Sequence, residues 1–221
     1  MWLHVLLTLL LLSGTFALNR IMQGSEIYLT ILQMTSRCDG AGTLSYPLVH
    51  VGYVDFNNKL VYSIPTRPTK GRPHNRFQPY KTATWYTNVP MGFAAQIERA
   101  CFEAARGSQA RYEDCFSPNV IYYNMHGWDG DHSPAWKPSE TEVTLNVMFP
   151  NRDIYAHRTA FNRDDDCKYD WVSGKGDWYF CRDPLPERRA FTYPGRGLQK
   201  GTKFQCSLTE RKPRRSVIAR S

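Results

Sequence analysis

The sequence predicts an α+β domain in which one helix packs on a twisted antiparallel sheet. Several segments alternate apolar and polar residues, the pattern of strands with one buried face, whereas a single long segment has the spacing of an amphipathic helix. Runs of strands around one helix are typical of α+β folds. The chain also carries six cysteines, which predict disulfides that staple the domain if it is secreted.

The first seventeen residues predict a cleaved signal peptide and therefore a secreted protein. Leucines dominate the segment between Leu6 and Leu12, and small residues stand at Thr15 and Ala17, where signal peptidase prefers them. The apolar run of about a dozen residues is too short to span a bilayer, so we expect no stable membrane insertion. Residues 18–209 then form a single secreted domain, and residues 210–221 form a basic disordered tail.

The first predicted strands lie before the helix. Apolar and polar residues alternate over residues 27–31 and again over residues 49–53. Asn57 and Asn58 then suit a tight turn into a further strand at residues 60–62. The second and third strands are therefore expected to form a hairpin.

The clearest helix is predicted over residues 90–106. Asn88 is its candidate N-cap, Pro90 suits the first turn, and Gly107 is expected to end the helix. Cys101 falls on the apolar stripe, so we expect its side chain to point into the core, where a disulfide could pin the helix.

Strands are expected again after the helix. Residues 120–124, 141–149 and 154–161 carry the alternating pattern, and residues 202–208 form a final strand. Residues 167–181 are interpreted as a hairpin with glycines at its turn. The predicted sheet is therefore antiparallel.

The spacing of the cysteines suggests how they pair. The hairpin at residues 167–181 turns around Gly174, which places its two end cysteines opposite each other. A short polar loop separates the helix cysteine from the next one, and elimination joins the last two. The predicted disulfides are Cys167–Cys181, Cys101–Cys115 and Cys38–Cys206. Because no CxxC or CxxH pair occurs, the pattern does not favour a metal site, and we expect neither a metal nor a cofactor.

The net charge of +8 is concentrated in two segments. One is the tail, and the other is the proline-rich stretch 66–81, which the prolines make an extended loop. Cations interleaved with rings suit the phosphate backbone and bases of a nucleic acid, or another polyanion. The candidate polyanion-binding residues of this basic loop are Arg67, Lys70, Arg72, Arg76 and Lys81.

Residues 90–181 carry a series of polar residues in a recognisable order. The helix is followed by a Tyr and His segment, a Glu strand, and an Arg strand that ends in Phe-Asn: Tyr122 or Tyr123, His126, Glu140 or Glu142, Arg158 and Asn162. This order resembles the fungal guanyl-specific ribonucleases of the microbial type. The resemblance implies their one-helix fold, which also underlies secreted fungal effectors that have lost catalytic residues.

The same residues suggest how RNA cleavage would proceed. Attack by the 2′-hydroxyl needs a base, a cation on the phosphate, and an acid for the leaving oxygen. Glu142, or its neighbour Glu140, is the candidate base, Arg158 the phosphate clamp and His126 a helper.

A general acid is missing from this set. The family's last histidine would fall near Ser173, where this chain has none. His157 neighbours Arg158, but adjacent residues of a strand point to opposite faces. The set is therefore incomplete for catalysis.

We accordingly expect a secreted, disulfide-stabilised, monomeric effector that binds a host protein, a nucleic acid or another polyanion without catalysis. A secreted endoribonuclease is the alternative. A carbohydrate-binding protein is a second alternative, favoured by four tryptophans: Trp128, Trp136, Trp171 and Trp178.

Overall fold

The computed structural model describes residues 25–42, 48–66, 77–124, 136–149, 154–162, 167, 171–172, 177–182 and 191–192. Within these ranges the chain forms nine strands and two helices. In chain order they are β1 (Glu26–Thr35), β2 (Leu48–Val54), β3 (Leu60–Thr66), β4 (Thr82–Val89), α1 (Met91–Ala105), α2 (Gln109–Cys115), β5 (Val120–Asn124), β6 (Pro138–Met148), β7 (Ile154–Asn162), β8 (Asp177–Cys181) and β9 (Phe191–Thr192). The predicted signal peptide, tail and strand at 202–208 lie outside the described residues.

The strands form two antiparallel sheets. One has four strands in the order β4-β1-β6-β7, and the other has five in the order β3-β2-β5-β8-β9. The expected single sheet covered by one helix is therefore wrong, although the antiparallel pairing is confirmed. A helix of 15 residues is only about 22 Å long and cannot cover nine strands, so the apolar faces of the sheets contribute to one shared core.

The alternating pattern of β1 shows how the sheets bury their apolar faces. Ile27, Leu29 and Ile31 are each at most 1% exposed and belong to the same core cluster as Val49 and Ile121 of the five-stranded sheet. The residues between them in β1 point to the other face of the four-stranded sheet. One face is therefore core and the other faces outward.

A buried polar network joins the two sheets. The hydroxyl of Tyr123 in β5 donates to Gln33 Oε1 in β1 at 2.7 Å and lies 2.8 Å from the hydroxyl of Thr141 in β6. The Thr141 hydroxyl also donates to Gln33 Oε1 at 2.7 Å, and the Gln33 amide donates to two backbone carbonyls. The three side chains satisfy one another inside the core, as buried polar groups must.

The main helix agrees with its prediction except at its start. The residue before its first turn is Pro90, and Asn88 lies in β4, so the predicted cap is wrong. At the other end Arg106 has a left-handed backbone with φ of 48°, and Gly107 follows with φ of 80°. Cys101 is fully buried, as predicted.

The second helix was not predicted. The segment after Gly107 was interpreted as a polar loop, yet Ser108 caps α2 by accepting a hydrogen bond from Arg111 N. Tyrosines of the five-stranded sheet hold its end: Tyr62 donates to the carbonyl of Cys115 at 2.9 Å, and Tyr53 donates to Asp114 at 2.8 Å. These tertiary contacts, rather than helix propensity, stabilise so short a helix.

The disulfides agree with the prediction in one case of three. Cys101–Cys115 is confirmed and joins α1 to α2. Cys38 is bonded to Cys167 across 129 residues, so the predicted Cys167–Cys181 and Cys38–Cys206 pairings are wrong. Cys181 is also disulfide-bonded, and Cys206 lies outside the described residues.

The Cys167–Cys181 pairing was predicted from a hairpin at residues 167–181, and that hairpin prediction is wrong. β8 pairs on one side with β5 and on the other with β9, so Tyr179 lies between Tyr122 and Phe191. Val172 instead forms an isolated bridge with Trp136. The β2–β3 hairpin around Asn58 is confirmed.

In the part of the chain described here, no helix is long and apolar enough to cross a membrane.

Candidate functional site

The outward face of the four-stranded sheet, here called the outer face, carries the predicted catalytic pair. Its side chains form rows across all four strands, because the register is continuous from β4 to β7. The central row consists of Tyr86, Thr30, Thr144 and Arg158. The row on one side of it consists of Asn88, Tyr28, Asn146 and Ala156. The row on the other side consists of Thr84, Leu32, Glu142 and Ala160. The face combines the short polar side chains of threonines and asparagines with two tyrosines and the charged Glu142 and Arg158.

Glu142 and Arg158 meet on the outer face. They lie on adjacent strands in a diagonal register, and the guanidinium donates to the carboxylate in an ion pair. The side chain of Arg158 is 72% exposed and that of Glu142 is 18% exposed. The hydrogen bond to Glu142 raises the pKa of Arg158. The structure thus brings these two candidate site residues together.

No histidine of the described residues shares the outer face with this pair. His157 lies on the opposite side of β7, where its ring stacks on Tyr155 at 6.4 Å. His50 lies in β2 of the other sheet, and its Nδ1 is 3.2 Å from the hydroxyl of Ser63. The predicted helper His126 lies outside the described residues. The described part of the outer face therefore presents a base and a cation without an acid.

Two tyrosines stand out from the outer face. Tyr86 is 70% exposed and Tyr28 is 39% exposed. Since Tyr28 pairs with Asn88 and Tyr86 pairs with Thr30, the two residues are diagonal neighbours, which in a sheet typically lie about 7–8 Å apart. The hydroxyl of Tyr28 donates to the carboxylate of Glu26, which raises the pKa of Tyr28.

The sequence carries a signal for one of these tyrosines. Tyr28 lies between Ile27 and Leu29 in an alternating strand, so its ring had to face outward. Its neighbour Tyr86 could not be found this way, because β4 was not predicted.

The charge of the outer face is negative although the protein is basic. Its described side chains include three carboxylates, Glu26, Glu140 and Glu142, against the one guanidinium of Arg158. A polyanion would meet net repulsion here. Of the predicted polyanion-binding residues, Lys81 is exposed just before β4, and the others are outside the described residues: Arg67, Lys70, Arg72 and Arg76.

The tryptophans that favoured carbohydrate binding do not form an exposed platform in the described residues. Trp136 is fully buried, where its ring meets the edges of Phe77 and Tyr123. Trp171 and Trp178 are half-buried, and Trp128 lies outside the described residues.

Comparison with known proteins gives no assignment. No protein-family model and no curated protein matches the sequence. Among solved structures, a crystal structure of a LOX variant aligns with 68% of this chain and 17% of that chain, at 9% identity and a TM-score of 0.33. So low a score carries no argument about fold or function.

Proposed function

We propose that this protein is a secreted, non-catalytic binding protein of the effector type, and that its target lies against the outer face. The observation that carries the proposal is the exposed diagonal pair Tyr28 and Tyr86 on a regular sheet. Rigid tyrosines are enriched at binding surfaces because their rings supply contact area at little cost in conformational entropy. The disulfides of the described residues are compatible with secretion.

A neutral glycan is the ligand that best fits this face. A sugar ring offers an apolar C–H surface that stacks on tyrosine, and hydroxyls that pair with short polar side chains. Thr30, Asn88 and Asn146 lie beside the two rings and supply such donors and acceptors. The net negative charge disfavours RNA and acidic polysaccharides on the same surface.

The test measures retention of the oxidised protein on insoluble chitin, cellulose and β-glucan. We expect one polymer to retain it, and the double variant Tyr28→Ala/Tyr86→Ala to bind at least about 10-fold more weakly. Phe102→Ala is the matched control, because this ring is 50% exposed on α1, away from the outer face. Retention that survives the double variant, or retention by none of the polymers, would remove the outer face as a glycan site.

Absence of catalysis is tested with single-stranded RNA. We expect no cleavage by the wild type, because loss of a positioned general acid typically removes about 10²–10⁴-fold in rate. Glu142→Gln and Arg158→Ala are the diagnostic variants, since they remove the candidate base and the candidate clamp. Robust cleavage that both substitutions abolish would make the protein an endoribonuclease and overturn the proposal.

Polyanion binding is a second candidate function, favoured by the net charge of +8 and by the basic loop. If it occurs, affinity for RNA or heparin should fall steeply between low and physiological salt, because counterions are released on binding. Joint neutralisation of Arg67, Lys70, Arg72 and Arg76 should flatten that slope, whereas Arg158→Ala should not. No binding at low salt would exclude this function.

A further inference from the structure

A cleft lies between β3 and α1, away from the outer face. Its volume is about 350 Å³, within the range of ligand sites. Four consecutive residues of β3 line one wall, and one side of the helix lines the other: Leu60, Val61, Tyr62 and Ser63, then Phe93, Gln96, Ile97, Arg99 and Ala100. Because neighbouring strand residues point to opposite faces, a wall of consecutive residues follows the edge of the strand.

The floor of the cleft is apolar. Val61, Ile97 and Ala100 belong to the shared core and are at most 7% exposed. Phe93 is partly buried and packs against the same core. The hydroxyl of Tyr62 is already used by the carbonyl of Cys115. The floor therefore offers contact to an apolar group.

The rim carries polar groups with no partner in the described residues. Gln96 and Arg99 are exposed and lie three residues apart on α1, so their side chains share one side of the helix. Neither side chain makes a hydrogen bond or an ion pair with the described part of the chain. Among the described residues that line the cleft, Arg99 is the only charged one, and none carries a carboxylate. The charge of the site therefore complements an anionic group.

The free edge of β3 adds a second feature that a ligand of the cleft can use. Among the described residues β3 pairs only with β2, so its outward backbone N–H and C=O groups have no strand beside them. Pro65 cannot donate a hydrogen bond, which blunts the edge near the end of β3. The stretch that can accept another strand is thus the one that lines the cleft.

We propose that this cleft binds an extended peptide segment of a partner protein, which adds a strand to the edge of β3, places an apolar side chain on the cleft floor and pairs a carboxylate with Arg99. This is the strand-addition mode of peptide recognition, in which backbone hydrogen bonds give affinity and the cleft gives specificity. A small apolar molecule would use the floor but not the strand edge.

The test selects ligands for the full-length oxidised protein from a phage library of random octapeptides. We expect the selected peptides to share an apolar residue close to Asp or Glu. Arg99→Ala should weaken the affinity for a synthetic copy of a selected peptide about 10-fold, the loss expected for one charge-assisted hydrogen bond. Arg99→Lys should recover part of the affinity, and Arg37→Ala should leave it unchanged, because Arg37 is exposed and does not line the cleft.

A second arm tests the strand edge itself. N-methylation of alternate peptide bonds in the selected peptide should abolish binding in one alternation and not in the other, because only alternate amides face β3. Equal tolerance of both alternations would overturn strand addition. Selected peptides whose affinity does not change on Arg99→Ala would also overturn the proposal. If no peptide is selected and the protein binds 8-anilinonaphthalene-1-sulfonate, the cleft is a small-molecule site and the proposal is wrong. Self-association lost on Arg99→Ala would assign the cleft to a second copy of this chain.

Discussion

Glu98 is a carboxylate held inside the protein at the cost of stability. It lies in α1 and is 2% exposed, and it accepts one hydrogen bond from Ser25 at 3.0 Å. Its second oxygen is buried and has no hydrogen-bond partner among the described residues. Burial raises the pKa of Glu98, and the Ser25 hydrogen bond opposes this only in part. Compared with the unfolded chain, the folded state therefore favours the protonated form of Glu98.

We expect Glu98→Gln to stabilise the protein at pH 7.5 by about 1 kcal/mol, because the amide keeps the shape without a buried charge. A raised carboxyl pKa contributes stability that is fully present below the ordinary value of 4.5 and is lost as pH rises through the folded pKa. The gain should therefore shrink between pH 7.5 and pH 4.5. Urea unfolding at both pH values measures it, with Glu140→Gln on the outer face as control. A variant that is destabilised equally at both would contradict this account.

His157 has the opposite dependence on pH. Its Nε2 is buried and has no hydrogen-bond partner in the described part of the chain. Burial lowers the pKa of His157, although the nearby Asp114 and Glu113 oppose the shift. Since the folded state favours the neutral ring, this stability is present above the ordinary value of 6.5 and is lost as pH falls through the folded pKa.

We expect the melting temperature to fall between pH 7.5 and pH 5.5, and His157→Phe to reduce that fall. Phenylalanine keeps a ring to stack on Tyr155 and cannot be protonated. Scanning calorimetry across the range measures the difference. Tyr155→Phe is the control, because it keeps the titrating histidine and should keep the slope. An unchanged slope in His157→Phe would assign the pH dependence to other groups.

At the scale of the elements, the network of Gln33, Tyr123 and Thr141 fixes how the two sheets meet. Each of its side chains is fully buried, and each comes from a different strand. A network of this kind is stable only when every member is satisfied, so it selects one register between the sheets.

We expect Tyr123→Phe to destabilise the protein by about 1–2 kcal/mol, because it removes a hydroxyl on which Gln33 and Thr141 both depend. Tyr86→Phe loses an exposed hydroxyl and should change stability little. Urea unfolding compares the two variants. If Tyr123→Phe is as stable as Tyr86→Phe, the network contributes nothing measurable.

At the scale of the whole molecule, the described disulfides span very different lengths of chain. Cys101–Cys115 closes 14 residues between two helices, whereas Cys38–Cys167 closes 129 residues. A longer closed loop removes more freedom from the unfolded chain.

We expect the Cys38→Ala/Cys167→Ala variant to lose more stability than Cys101→Ala/Cys115→Ala, about 4–5 against about 3 kcal/mol on the loop-entropy account. Denaturant unfolding under non-reducing conditions measures both losses. The opposite order would mean that packing around the buried helix pair, rather than loop length, sets the contribution of each bridge.

Much of the local structure could be predicted from the sequence. β1, β2, β3, β5, β6, β7 and α1 were all predicted, because periodicity is a property of neighbouring residues. α2 was missed because seven residues give weak periodicity, and contacts such as Tyr62 with Cys115 stabilise it. β4 was missed because the adjacent rings of Trp85 and Tyr86 interrupt its alternation of apolar and polar residues. For the candidate site, the sequence named Glu142 and Arg158 as candidates, whereas their ion pair and the β3–α1 cleft depend on contacts between distant segments.

The sequence by itself determined which side of each strand faces the core, since alternation requires only the local chain. It also placed His157 and Arg158 on opposite faces for the same reason. The tertiary structure alone decided which strands share a sheet, and therefore that Tyr28 and Tyr86 are neighbours and that Cys38 meets Cys167. These are contacts between distant segments, selected by the packing of two sheets on one core, and no local pattern of residues encodes them.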